Sequence, residues 1–189
     1  MQKMKNRREF IKSSALLGAF GLLHQWASAI PVPDAHGDLL PMRRLTRNGE
    51  KVTAYAMGGW HLGNEQDPAV AERMVEMAMD MGVRFYDTAR GYQDGGSEER
   101  MGRLLIPRYR DQIFLMTKTH TKTWKEAREH LDLSLRALKT DRLDLWQIHT
   151  FTTPEDVDQR IEQGVLDVFL EAKEQGKTRY IGFTGHQSP

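Results

Sequence analysis

The sequence predicts an α/β fold: a (β/α)8 TIM barrel, with about the first five βα units present and an N-terminal β-hairpin ahead of them. Two observations carry this. Short apolar runs end at Gly58, Asp87, Lys118, His149 and Thr184, spaced 29, 31, 31 and 35 residues apart. Each of the first four is followed by a stretch of helical periodicity, the pattern of parallel strands joined by right-handed crossovers. The runs also end in polar residues, as a barrel requires when its active site sits at the strand C-termini. An open doubly wound sheet would carry a glycine-rich phosphate fingerprint after its first strand. Gly58-Gly59-Trp60-His61-Leu62-Gly63 does not fit that spacing, and Trp60 obstructs close backbone approach.

In chain order, residues 42–47 and 51–55 flank Asn48-Gly49, a dipeptide suited to the positive φ angles of a two-residue hairpin turn. Residues 54–58 read as the first barrel strand. Asp67-Pro68 supplies an N-cap and a first-turn proline for a helix over 67–81, ended by Gly82. Its Val70, Met74, Met77, Ala78 and Met81 form one stripe, read as core packing. Residues 83–86 read as a strand ending at Asp87, 97–105 as a helix, and 113–117 as a strand ending at Lys118. Thr123-x-x-Glu126 is a capping box for a helix to about Lys139, with Leu131, Leu135 and Leu138 inward. A strand over 143–148 ends at His149. Residues 154–175 are helical with a break at Gly164, and 180–183 form a strand entering Thr184-Gly185.

Eight such units need about 250 residues. The 189 residues here hold five, so the sequence is expected to be the N-terminal part of a longer barrel or half of an assembly.

The N-terminus has a different logic. Arg7 and Arg8 precede Phe10 and Lys12, an apolar run covers 15–23, and Ala27-Ser28-Ala29 offers a small-residue cleavage site. This order predicts a twin-arginine signal peptide over 1–29, followed by a proline-containing linker over 30–41 and the barrel over 42–189. The apolar run is shorter than the roughly 20 residues that span a bilayer, so no stable membrane anchor is expected. A periplasmic or otherwise exported location, reached through the twin-arginine machinery, follows. The segment 1–29 carries five cationic side chains against Glu9, a net +4, which leaves −3 for residues 30–189 out of the chain's +1. The basic excess therefore belongs to the signal and gives no nucleic-acid footprint. With no cysteine in the chain, disulfide scaffolds, zinc–thiolate sites and cysteine nucleophiles are excluded.

The chemistry-bearing candidates are Asp87, Lys118 and His149 at three successive strand ends, with Tyr92 five residues after Asp87. A phenol with pKa near 10 is a poor acid at neutral pH. A neighbouring ammonium favours its ionised form, and a carboxylate holds that ammonium in place. A histidine beside the phenol can orient a carbonyl. The set suits protonation of a carbonyl oxygen while hydride reaches the carbon. Side chains carry no hydride, so a nicotinamide cofactor is implied and no metal site is expected. His61 and His120 read as polar loop residues, and Glu98-Glu99-Arg100 as a solvated helix start whose acids complement the helix dipole.

The stretches GVRFYDTARGYQDGGSEERMGRLL, LMTKTH, LDLWQIHT and RRLTRNGEKVTAYAMGGWHLG together resemble the aldo-keto reductases over residues 42–186. That resemblance implies a catalytic tetrad of Asp87, Tyr92, Lys118 and His149, with Tyr92 as general acid in the reduction of a small carbonyl substrate. It also implies that Gly59, Trp60, Asp87, Thr184 and Gly185 border the cofactor or substrate. Thr184-Gly185 replaces the family's Ser-Asn pair after the fifth strand, and His186 would line the pocket. The family's binding segment for the adenosine 2′-phosphate lies in later strands, so NADP and NAD both stay open. Free nicotinamide cofactor is expected to be scarce outside the cytoplasm, which implies tight retention or a redox partner. Three other functions fit parts of the same residue set: a Schiff-base aldolase using Lys118, a metal hydrolase using His61, His149 and His186, and a non-catalytic nicotinamide-nucleotide-binding barrel acting as sensor or subunit.

Overall fold

The computed structural model describes residues 39–47 and 49–185. The expected signal peptide, the linker up to residue 38, Asn48 and His186 lie outside the described residues. Strands β1 (Met42–Arg44) and β2 (Lys51–Thr53) pair antiparallel as a hairpin. Strands β3 (Ala56–Gly58), β4 (Phe85–Asp87), β5 (Phe114–Thr119), β6 (Leu143–Phe151) and β7 (Thr178–Gly185) form one all-parallel sheet in sequential order. This is the five-strand start of a (β/α)8 barrel. Its helices are α1 (Gly59–Asn64), α2 (Pro68–Asp80), α3 (Gly96–Leu104), α4 (Ile106–Tyr109), α5 (Trp124–Leu138), α6 (Pro154–Glu162) and α7 (Val165–Glu174). Among the described residues, no helix is long and apolar enough to cross a membrane.

Register explains how the strand ends converge. Asp87 pairs with Met116, so Lys118 lies two residues further along β5; Lys118 pairs with Gln147, so His149 lies two further along β6. This stepwise stagger is the shear of a closing barrel. Because side chains alternate with period two, Asp87, Lys118 and His149 share one face of the sheet with Phe85, Phe114, Met116 and Leu145. Phe114, Met116 and Leu145 pack with Val52 of the hairpin into a small core, against which Phe85 and Tyr180 lie. The opposite face carries Tyr86, Leu115, Trp146 and Ile148 into the larger core with the helices. There Trp146 stacks on Phe169 of α7 at 3.6 Å, both fully buried. Each such burial contributes roughly 2–3 kcal/mol.

The helices show why sequence patterns fold this way and where they mislead. Thr123 caps α5 by accepting from Glu126 N (3.3 Å), and Glu126 accepts from Lys122 N (3.0 Å). Its Leu131, Leu135 and Leu138 are buried, as the periodicity predicts. Asp67 caps α2 through Ala69 N (2.8 Å). The buried residues of α2, however, are Ala71, Val75 and Met79, while Met77 and Met81 stand 60% and 62% exposed. Met74 and Ala78 of the expected stripe still pack against the core, so the buried face is the expected one rotated toward Ala71, Val75 and Met79. Gly164, at φ +71°, separates α6 from α7. The hairpin turn also differs from expectation: Gly49 N donates to Thr46 O (3.2 Å) and Glu50 N to Thr46 Oγ1 (3.2 Å). The threonine hydroxyl thus closes a wider turn than a two-residue Asn-Gly connection. His61, read as a polar loop residue, lies in helix α1.

Candidate active site

Strand β4 ends at Asp87, and the chain then stays stitched to β5: Thr88 N donates to Met116 O (3.0 Å) and Arg90 N to Lys118 O (2.8 Å). This brings the following 3-10 turn, Tyr92–Gly95, over the strand ends. Lys118 is 5% exposed, and its ammonium donates to Asp87 Oδ1 and to Thr88 O (2.7 Å). The same Nζ lies 5.0 Å from the centre of the Tyr92 ring. The Tyr92 ring in turn stands edge-on to the imidazole of His149 at 5.9 Å and to the indole of Trp60 at 5.2 Å. Asp87, Tyr92, Lys118 and His149 therefore meet at one mouth, as the strand-end spacing predicts.

Placing His149 takes an irregular backbone. Thr150 has φ +60°, rare for a β-branched residue, where the β6–β7 pairing shifts register between Ile148 and Phe151. A bulge of this kind re-aims side chains at barrel rims. It is held by Thr184 Oγ1, which accepts from Thr150 N (2.9 Å), and by the buried Arg160, which donates to Thr150 O (3.1 Å) and His149 O (3.4 Å). Asp156 grips Arg160 with both oxygens at 2.9 Å. That guanidinium holds the Asp156 carboxyl below the usual carboxylate range.

The remaining expected residues divide by role. Gly59 is a close-approach glycine: a Cβ there would sit 2.6 Å from Ser97 Oγ and 2.8 Å from Asp87 O. Trp60, on the first turn of α1, is 49% exposed beside Tyr92. Thr184 and Gly185 lie at the end of β7, next to the His149 bulge. Tyr86 offers a contrast to Tyr92. It is fully buried on the helix side of the sheet, away from the mouth, and burial pushes its phenol well above the ordinary range. Among the described residues, no three His, Asp or Glu side chains converge as a metal-holding group.

His120 is an exposed loop residue just past β5, as read, and it also stacks on His149 with ring centres 4.1 Å apart and planes 26° from parallel. Glu98, read as part of a solvated helix start, is 0% exposed. It sits behind the site, bonded to Thr117 and Arg90. Neither placement has a local sequence signal, since each depends on a partner from another βα unit.

The sheet is the start of a parallel barrel that gathers an ammonium, a phenol and an imidazole at its strand C-termini. Residues 55–188 match the Aldo/keto reductase family, and the chain belongs to it. It is 33% identical over 171 residues to the 6-dehydroglucose reductase of Novosphingobium aromaticivorans, covering 82% of this chain and 53% of that protein. It is 29% identical to the L-galactose dehydrogenase of Arabidopsis thaliana, covering 77% and 49%. The holo form of an aldo-keto reductase from Bacillus halodurans superposes with a TM-score of 0.68 at 26% identity, covering 77% and 50%. The chain thus spans about half the length of the relatives it matches.

Proposed function

We propose that this chain is the catalytic N-terminal part of a carbonyl reductase that uses NADPH or NADH, with Tyr92 as general acid. The observation that carries the reading is the placement of the Lys118 ammonium, anchored by Asp87, 5.0 Å from the Tyr92 ring. A phenol that gives up its proton becomes an anion, and a buried ammonium beside it stabilises that charge strongly because little water screens the pair. His149, edge-on to Tyr92, presents its imidazole to the same carbonyl oxygen and fixes its direction. A bound nicotinamide nucleotide would supply hydride to the carbonyl carbon. Gly59, Trp60, Asp87, Thr184 and Gly185 would border it. Trp60 offers a half-exposed aromatic face, and Thr184, whose oxygen accepts from Thr150 N, keeps its own O–H to donate to a carboxamide.

The names of the relatives from Novosphingobium and Arabidopsis make sugars and other hydroxylated carbonyl compounds the first substrates to test. In the complete polypeptide, Tyr92→Phe is expected to lower carbonyl reduction at least about 100-fold, the usual scale of general acid catalysis. Nucleotide affinity should stay unchanged. The measurement is oxidation of reduced cofactor beside direct binding, and a Tyr92→Phe enzyme with near-normal turnover overturns the assignment.

The twin-arginine motif supports export of the folded protein, with cofactor loaded before transport and then retained or regenerated by a redox partner. Replacing Arg7 and Arg8 together by Lys should leave the protein in the cytoplasm. Unchanged export of that variant would refute the route.

A further inference from the structure

The loop that carries Tyr92 is held in an unfavourable backbone conformation. Gln93, Asp94 and Gly95 follow it with φ of 48°, 52° and 95°, three successive residues in the left-handed region. Side chains with a Cβ disfavour that region, so neighbouring contacts must fix the turn. Arg90 makes them. Its Nη2 donates to Asp94 O (3.2 Å), and its backbone N donates to Lys118 O (2.8 Å). A Cβ at Gly95 would overlap the Arg90 guanidinium, so the glycine makes room for this contact.

Arg90 is in turn fixed by Glu98. The carboxylate is 0% exposed on the first turn of α3, where the helix dipole favours negative charge. Its Oε2 accepts from Arg90 Nη1 at 3.0 Å, and its Oε1 accepts from Thr117 Oγ1 at 2.6 Å. Thr117 immediately precedes Lys118 on β5 and points to the helix side, opposite the lysine. The side-chain bonds of Glu98 therefore lead to the two elements that carry the phenol and the ammonium. A carboxylate removed from water is costly unless paired and fully hydrogen-bonded, and here both partners are drawn from those two elements.

We propose that Glu98 is a positioning residue: through Arg90 and Thr117 it locks the Tyr92 turn and strand β5 in register, so that phenol and ammonium stay at working distance. The proposal rests on the reductase reading above. Because misplacement of a reacting group by about 1 Å can cost on the order of 100-fold in rate, loss of the lock should appear in turnover rather than in binding.

The test uses the complete polypeptide with Glu98→Gln, Arg90→Lys and Thr117→Val, the last two sparing the carboxylate in case Glu98→Gln does not fold. Expected is a fall in kcat of about tenfold in each folded variant. KM and the dissociation constants of NADPH and NADH should stay within about twofold. The double variant Arg90→Lys/Thr117→Val should lose less than the product of the single losses, because both act through one carboxylate. Folded variants that keep kcat within about twofold, or whose loss lies in KM alone, overturn the positioning role while leaving the reductase reading intact. An unaltered protein that reduces no carbonyl with either nucleotide overturns both.

Discussion

At the scale of single residues, the site is a chain of aromatic contacts resting on one ion pair. Trp60, Tyr92, His149 and His120 follow one another at 5.2, 5.9 and 4.1 Å, and Lys118 with Asp87 lies beneath Tyr92. Asp87, Lys118 and His149 were legible because strand ends recur at a fixed spacing and a barrel gathers them. Tyr92 was legible only through its distance from Asp87 and the family pattern around it. His120 was not, because two residues past Lys118 the chain has left the strand and its direction depends on β6. The stack is placed to hold the plane of the His149 ring. An aromatic pair of this kind is worth about 1 kcal/mol, so His120→Ala should lower kcat/KM by about fivefold. His120→Phe, which can stack, should recover most of it. Equal values for both variants and the unaltered protein would show that the stack does not order His149.

At the scale of elements, the periodicity rules located the four principal helices and all five barrel strands, and failed where one element answers to another. The methionine stripe of α2 looks amphipathic in isolation, yet the face that docks centres on Ala71, Val75 and Met79 and leaves Met77 and Met81 in solvent. Strand β6 runs past His149 to Phe151 because the Thr150 bulge lets pairing with β7 resume. No sequence pattern announces that bulge; Arg160 and Asp156 of α6 hold it from outside. Since Arg160 depresses the Asp156 pKa, the sign of its pH dependence is fixed. The contribution is fully present above the unfolded-state carboxyl value of about 3.9 and is lost as pH falls through the lower folded value. Asp156→Asn should therefore cost about 1–3 kcal/mol at neutral pH, the range for hydrogen bonds to charged groups. That difference from the unaltered protein should vanish in acid. Thermal unfolding across pH measures it, and a gap that widens toward low pH would contradict the assignment.

At the scale of the whole molecule, the two ends of the sheet do different work. The C-terminal end carries the bulge beside His149 and the left-handed turn after Tyr92, held from behind by the Arg160–Asp156 and Arg90–Glu98 ion pairs. The N-terminal end is a network around Asp144, which is 5% exposed. Its Oδ2 accepts from Leu115 N and pairs with Arg110, and its Oδ1 accepts from Arg179, each at 2.9 Å. Arg179 and Tyr180 reach on to Glu50 of the hairpin, which closes this end beside Val52. Barrels in general place function at the strand C-termini and stability at the opposite face, and here that division can be tested in one protein. Asp144→Ala removes the carboxylate partner of Arg110, whose guanidinium keeps Arg142 O and Thr140 Oγ1, and leaves the buried Leu115 N–H without its acceptor, so it should cost about 1–3 kcal/mol of stability. Its kcat per folded molecule should stay unchanged. Tyr92→Phe should do the reverse, lowering turnover at least about 100-fold while the unfolding midpoint stays within about a degree or two, as befits the loss of one hydroxyl from a side chain of intermediate burial. Measuring both quantities on both variants separates the two ends, because an Asp144→Ala protein that folds normally but turns over slowly would mean that the hairpin end also shapes the site.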